Sequence, residues 1–120
     1  MTDVVVTVPK SMWDDWIDEG DLPGEPWTEM RSHFWLPPNN LPKITRGERV
    51  YVVAHGKLRG YAPLVEVEWI CGMRDDRACL MRYDGAVAVT IPEPIRGFQD
   101  YRYRWWERDI EVPFPRWMIP

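Results

Sequence analysis

Arg49-Val50-Tyr51-Val52-Val53-Ala54-His55, followed by Gly56-Lys57-Leu58-Arg59-Gly60 and then by Tyr61 to Ile70, is the stretch that decides the fold. Its first segment is dense in β-branched and aromatic residues, which suit a pleated surface and lose side-chain freedom in a helix. The five residues from Gly56 to Gly60 read as a turn. In the returning segment Val65, Val67 and Trp69 fall on one face and Glu66 and Glu68 on the other, the alternation of a half-buried strand. Two strands joined by a short turn make a hairpin, so the middle of the chain is antiparallel β.

The pattern continues in both directions. Arg74-Asp75-Asp76-Arg77 is a turn, Ala78 to Tyr83 a further strand, and Asp84-Gly85 a hairpin signal leading into a strand from Ala86 to Ile91 that Pro92 and Pro94 end. Upstream, Val4 to Val8 is a β-branched run closed by Pro9. Ser11 to Gly20 predicts a two-turn helix: Ser11 suits the N-cap, Gly20 the C-terminal stop, and Met12, Trp13, Trp16 and Ile17 share one face. Trp27 to Leu36 reads as a strand. Pro37-Pro38-Asn39-Asn40-Leu41-Pro42 is a loop, because three prolines lack backbone donors. Near the end, Tyr101-Arg102-Tyr103-Arg104-Trp105-Trp106 alternates aromatic with basic residues, and Val112 to Trp117 reads as an extended strap. Short strands at hairpin spacing with one short helix after the first strand predict a mostly β (α+β) fold, a small antiparallel β-barrel. Residues 1–120 form one domain, with 97–120 an aromatic and arginine-rich C-terminal extension packed on the barrel.

Length and charge narrow the function. A chain of 120 residues, 45% apolar and 28% charged, supports one globular core. Its apolar runs fall far short of the roughly 20 residues that span a bilayer, and its start lacks a basic leader, so the expected setting is cytoplasmic and without a membrane partner. Cys71 and Cys79 are too few for a zinc site, and His33 and His55 have no ligand cluster near them in sequence, so neither a metal nor a cofactor is expected. The net charge of −4 divides unevenly, −7 over residues 1–30 and +3 over residues 31–120. An acidic chain cannot hold long nucleic acid by phosphate neutralisation alone; contact must be local and draw on stacking and base-edge hydrogen bonds.

Gly24-Glu25-Pro26-Trp27-Thr28-Glu29-Met30-Arg31 places a carboxylate and a guanidinium two residues apart on a predicted strand, hence on one face. In spacing it resembles the Gly-x-Lys-x-x-Glu-x-Arg signature of the ASCH domains of the PUA-like superfamily: Gly24, Glu29 and Arg31 match, and Pro26 stands where the signature has Lys. Gly47-Glu48-Arg49-Val50-Tyr51 and Gly60 to Val67 resemble the following strands of that family, and the resemblance covers roughly residues 3 to 90. It implies a PUA-like barrel with a cleft beside the first helix, where relatives bind RNA, modified bases or nucleosides.

Together these point to a binding module for a nucleotide or base, in RNA or carrying a modified base, with RNA expected before duplex DNA. Glu29 and Arg31 would read polar base edges, Trp27 would stack, and His33 shares their strand face by parity. Trp13, Trp16 and Trp35 surround the motif. Lys57 and Arg59, on the expected hairpin tip, and Arg102 and Arg104, interleaved with aromatics, would hold phosphate. Two alternatives stand beside this reading. One is a small amidohydrolase on a modified nucleoside, with Glu29 as general acid/base and Thr28 or a water as nucleophile; Pro26 argues against it, since it cannot carry a proton. The other is a protein-interaction domain working through the acidic N-terminal 30 residues or the aromatic tail.

Overall fold

The computed structural model describes residues 2–8, 31–36, 42–68, 78–83, 87–98 and 101–114. Eight strands follow in chain order: β1 (Val4–Thr7), β2 (Arg31–Leu36), β3 (Arg49–Ala54), β4 (Lys57–Glu68), β5 (Ala78–Tyr83), β6 (Val89–Thr90), β7 (Tyr101–Tyr103) and β8 (Val112–Pro113), with a 3₁₀ turn at Arg108–Ile110 between the last two. The expected helix over residues 11–20 lies outside the described residues, as do the turns expected at residues 22–26, 74–77 and 84–85.

The main sheet has the order β2-β5-β4-β3-β1-β7. β1 lies between β3 and β7, and its Val4, Val5 and Val6 are buried on both faces. An unbroken valine run serves such a strand better than an alternating one. β1 pairs in parallel with β3, Val4 opposite Val50 through Thr7 opposite Val53, and antiparallel with β7, Val4 opposite Tyr103. The sheet is therefore mixed, where the hairpin spacing predicted an antiparallel one: β1 and β3 are separated by some forty residues, long enough for a crossover that returns the chain in the same direction.

Closure of the expected barrel is not found among the described residues, where β2 and β7 are the two ends of the sheet. β4 instead divides its pairing between two neighbours. The first half of that strand pairs with β3 along one edge, and its second half pairs with β5 along the other, Leu64 opposite Arg82 to Glu68 opposite Cys79. Leu80 of β5 thereby joins the cluster formed by Val4, Val6, Val50 and Val52 on one face of the sheet. The opposite face carries a second cluster, Val5, Tyr51, Val53 and Leu58, covered by Ile91, Ile95 and Trp106. The segment that covers it is pinned by the β6–β8 pairing and by a bridge between Tyr61 and Val87. Residues 101–103 of the C-terminal extension enter the main sheet itself, and the expected strap begins as β8.

The β3–β4 connection is tighter than the sequence suggested. His55 and Gly56 alone make the turn, with φ of 51° and 74°. Two consecutive residues in the left-handed region match the twist of a two-residue hairpin, and histidine tolerates that region better than bulky or β-branched residues do. Lys57 to Gly60, read as the turn, are the first residues of β4.

One carboxylate joins the parts. Asp3 Oδ1 accepts the backbone N–H of Arg49 at 2.9 Å, while Oδ2 accepts Arg104 Nε at 3.0 Å and Arg108 Nη2 at 2.8 Å. Its carbonyl accepts Arg104 N–H at 3.0 Å. Its side chain has no exposed surface. Burial alone would raise the Asp3 pKa, but hydrogen bonds from Arg108 and from the Arg49 amide, with the charges of Arg108 and Arg104, hold it below the ordinary 3.8. The unfolded chain thus takes up this proton first, so the stabilisation is complete at neutral pH and is lost as pH falls through the lowered folded value. Asp3→Asn is expected to cost about 3 kcal/mol at neutral pH, because two arginines lose their counter-ion. Denaturant titrations should show the gap between wild type and variant narrowing as pH falls below the ordinary carboxylate value of 3.8; a gap independent of pH contradicts the assignment.

Candidate functional site

A cleft of about 830 Å³ opens where the lead into β1, the loop 42–48 and the 3₁₀ turn meet. Its described lining holds four cationic side chains, Lys43, Arg46, Arg49 and Arg108, and one carboxylate, Glu48. The loop is shaped by Glu48 itself. Glu48 Oε1 accepts both the backbone N–H and the hydroxyl of Thr45 at 2.8 Å, and Oε2 accepts the N–H of Thr2. Burial works to raise the Glu48 pKa, but the bonds from Thr45 and Thr2 outweigh it and keep the carboxylate ionised below its usual range. Gly47, with φ of 90°, turns the chain between Arg46 and Glu48, a conformation glycine adopts without strain. Lys43 is anchored through its backbone, whose N–H donates to Tyr103 Oη at 2.9 Å.

Buried acceptors hold the two inner cations. Arg108 is fixed by Asp3, as described. Arg49 Nη1 donates to Glu111 Oε1 at 3.0 Å and to Tyr51 Oη at 2.9 Å, and its guanidinium lies 4.0 Å over the Tyr61 ring. Glu111 Oε2 also accepts the Tyr51 hydroxyl at 2.5 Å and the Trp106 indole N–H at 2.8 Å. Burial and the Glu111 carboxylate push the Tyr51 phenol well above its ordinary value, so it stays protonated and donates. This leaves the outer edges of Arg49 and Arg108 facing the cleft from fixed positions, while Lys43 and Arg46 stand exposed around it. Preset donors around an open space suit an anion with several oxygens, such as a phosphate, because less freedom is lost on binding.

A second, smaller groove of about 350 Å³ lies along residues 93–97, facing Arg102 and Trp105.

The predicted residues separate into three groups. Trp13, Trp16, Trp27, Thr28 and Glu29 lie outside the described residues. Arg31 and His33 occupy alternate positions of the end strand β2, opposite Tyr83 and Met81 of β5, and Trp35 is opposite Cys79. The basic residues assigned to phosphate are divided by the fold. Lys57 is exposed, with its ammonium 6.0 Å from the Phe114 ring centroid. Arg102 is exposed and lies 4.7 Å over Phe98. Arg104 is held by Asp3 and donates from Nη1 to the Trp106 carbonyl, a structural assignment in place of the expected phosphate contact.

Arg59 departs furthest from expectation. Val52 pairs with Gly60 and Val53 with Leu58, so Arg59 is the extra residue of a β-bulge. The bulge turns its side chain inward, where it has no exposed surface; Nε donates to the Ala54 carbonyl at 2.9 Å and the guanidinium lies 5.2 Å over Phe114. Burial lowers its pKa. It cannot hold phosphate from there.

Sequence reasoning missed Lys43, Arg46, Arg49 and Arg108 as a group. Lys43, Arg46 and Arg49 fall within seven consecutive residues, so Lys43-Ile44-Thr45-Arg46 next to Gly47 offered a local sign, a short basic run before a strand, whereas Arg108 is brought in from far along the chain by Asp3. Comparison with family models, curated proteins and solved structures finds no match. Among the described residues no group of three His, Cys, Asp or Glu is placed to hold a metal ion, and no helix is long and apolar enough to cross a membrane. Arg59→Ala is expected to lower stability by about 3 kcal/mol, as loss of a fully buried and bonded cation does, while the folded fraction keeps any anion affinity. Thermal denaturation with a parallel binding titration checks both; an exposed phosphate ligand would give the opposite result.

Proposed function

We propose that this chain is a binding module for a nucleotide or for nucleic acid, and that phosphate oxygens occupy the cleft between the loop 42–48 and Arg108. The observation that carries this reading is the lining: four cations, three from residues 43–49 and one from the 3₁₀ turn, around one open volume, in a protein whose net charge is −4. Random placement of charge on an acidic surface would not favour such a concentration, and two of the four are held in place by buried carboxylates. Direct phosphate contact at fixed arginines gives affinity without sequence preference. Selectivity would come from base contacts, where the reading retains Glu29, Arg31, His33 and Trp27.

The PUA-like assignment belongs to the same proposal. It is supported by the spacing of Gly24, Glu29 and Arg31 and by the predominance of strands. The chain is read as non-catalytic, since Pro26 replaces the proton-carrying lysine of the signature and the cleft offers binding groups.

The test is fluorescence anisotropy with a labelled eight-nucleotide oligouridylate. Lys43→Ala combined with Arg46→Ala should weaken binding roughly tenfold or more at low salt and flatten the dependence of log K on log salt by about 1.4, the value for two lost contacts to a single strand. Unchanged affinity and slope in the double variant would place the phosphates elsewhere.

A further inference from the structure

We infer that the groove formed by residues 93–97, Arg102 and Trp105 is a second subsite, one that takes an unpaired base, so that the ligand is a single-stranded segment spanning both sites. The inference rests on the phosphate cleft proposed above and names the form of nucleic acid it receives.

Trp105 is the central observation. Nearly half of it is open, 46% of its surface, in a protein that buries the neighbouring Trp106 to 6%. An indole left open in this way is normally mobile. Here it is fixed: its N–H donates to Glu93 Oε1 at 3.1 Å, and its ring meets that of Trp106 at 89° with centroids 4.9 Å apart. The bond to Glu93 satisfies the indole's only polar atom and leaves its π-surface as the group on offer.

Two guanidiniums flank the same groove. Arg96 is exposed, and Arg102 is held over Phe98. The floor is fixed as well. Phe98 N–H donates to Thr7 Oγ1 at 3.3 Å, Ile95 N–H donates to the Gly56 carbonyl at 2.9 Å, and a Cβ at Gly97 would come within 3.2 Å of the Thr7 methyl. Glycine at 97 therefore lets this segment lie close against the end of β1.

A fixed indole beside two arginines is the composition that binds a base by its face and the adjoining phosphate by charge. It favours a single strand for a simple reason: in a duplex both faces of each base are already covered by its neighbours, and no base can be offered to an indole without unstacking it. The two sites adjoin along the chain. Tyr103, whose hydroxyl accepts the Lys43 N–H at the cleft, is two residues from Trp105, and Arg104 between them is pinned to Asp3. A strand that occupies both sites would place phosphates in the cleft and a base on the indole.

The experiment uses three probes on the whole chain: labelled oligouridylate of eight nucleotides, the same strand annealed to its complement, and UTP, which offers phosphates to the cleft with a single base. Trp105→Ala should weaken the single strand roughly tenfold and leave UTP unchanged, while Trp105→Phe restores most of the loss because a flat ring remains. The duplex should bind wild type more weakly than the single strand does. Oligouridylate affinity equal in wild type and Trp105→Ala, with Lys43→Ala/Arg46→Ala still impaired, would overturn the second subsite and leave the cleft standing. Failure of wild type to bind either the strand or UTP would overturn both.

Discussion

Asp3 is a carboxylate without exposed side-chain surface that three separated parts of the chain share: the start of β3 through the Arg49 amide, the end of β7 through Arg104, and the 3₁₀ turn through Arg108. Each contact is charge-assisted or made to a backbone donor, and all lie where solvent screening is weak. Remove the carboxylate and two arginines lose their counter-ion, while β1 keeps only its backbone ladders to β3 and β7. The position of Arg108 in the cleft wall is set by this one group.

Glu111 repeats the arrangement on the other side of Arg49. Its two oxygens collect Arg49, Tyr51 and Trp106, which fastens the C-terminal segment over the second core cluster. The cleft is thus framed from behind by carboxylates and lined in front by cations. Structural ion pairs and the proposed binding surface use the same arginines: the inner oxygens fix where the outer N–H groups point. A stability network of this kind also removes the need for long, floppy side chains to be ordered when a ligand arrives.

Much of the β framework was legible because strand signals are local. The valine run of β1 and the segment Ala78–Tyr83 announce themselves by composition, and the latter coincides with β5. What escaped was set by geometry between strands. Gly56 and Gly60 bracket five residues like a turn, yet His55 accepts a positive φ and shortens the turn to two residues. That shift carries Lys57 into β4 and makes Arg59 a bulge residue, which turns an expected surface cation into a buried one. Parallel pairing of β1 with β3 is equally invisible to a local reading, because it depends on forty intervening residues. Arg104 looked like part of a basic and aromatic path and instead answers Asp3, a hundred residues earlier in the chain. Of the candidate site, Arg102 is exposed beside Trp105, and Lys43, Arg46 and Arg49 are near one another in sequence, whereas Arg108 joins them only in three dimensions.

The proposal that the cleft beside Asp3 receives the phosphates of a bound strand can be checked by backbone amide chemical-shift mapping with unlabelled oligouridylate. The largest shifts should fall on residues 43–49 and 108, with a second group at 96–98, 102 and 105, and little change across residues 50–53 in the core. Shifts confined to other surfaces, or absent at saturating ligand, would contradict the proposal.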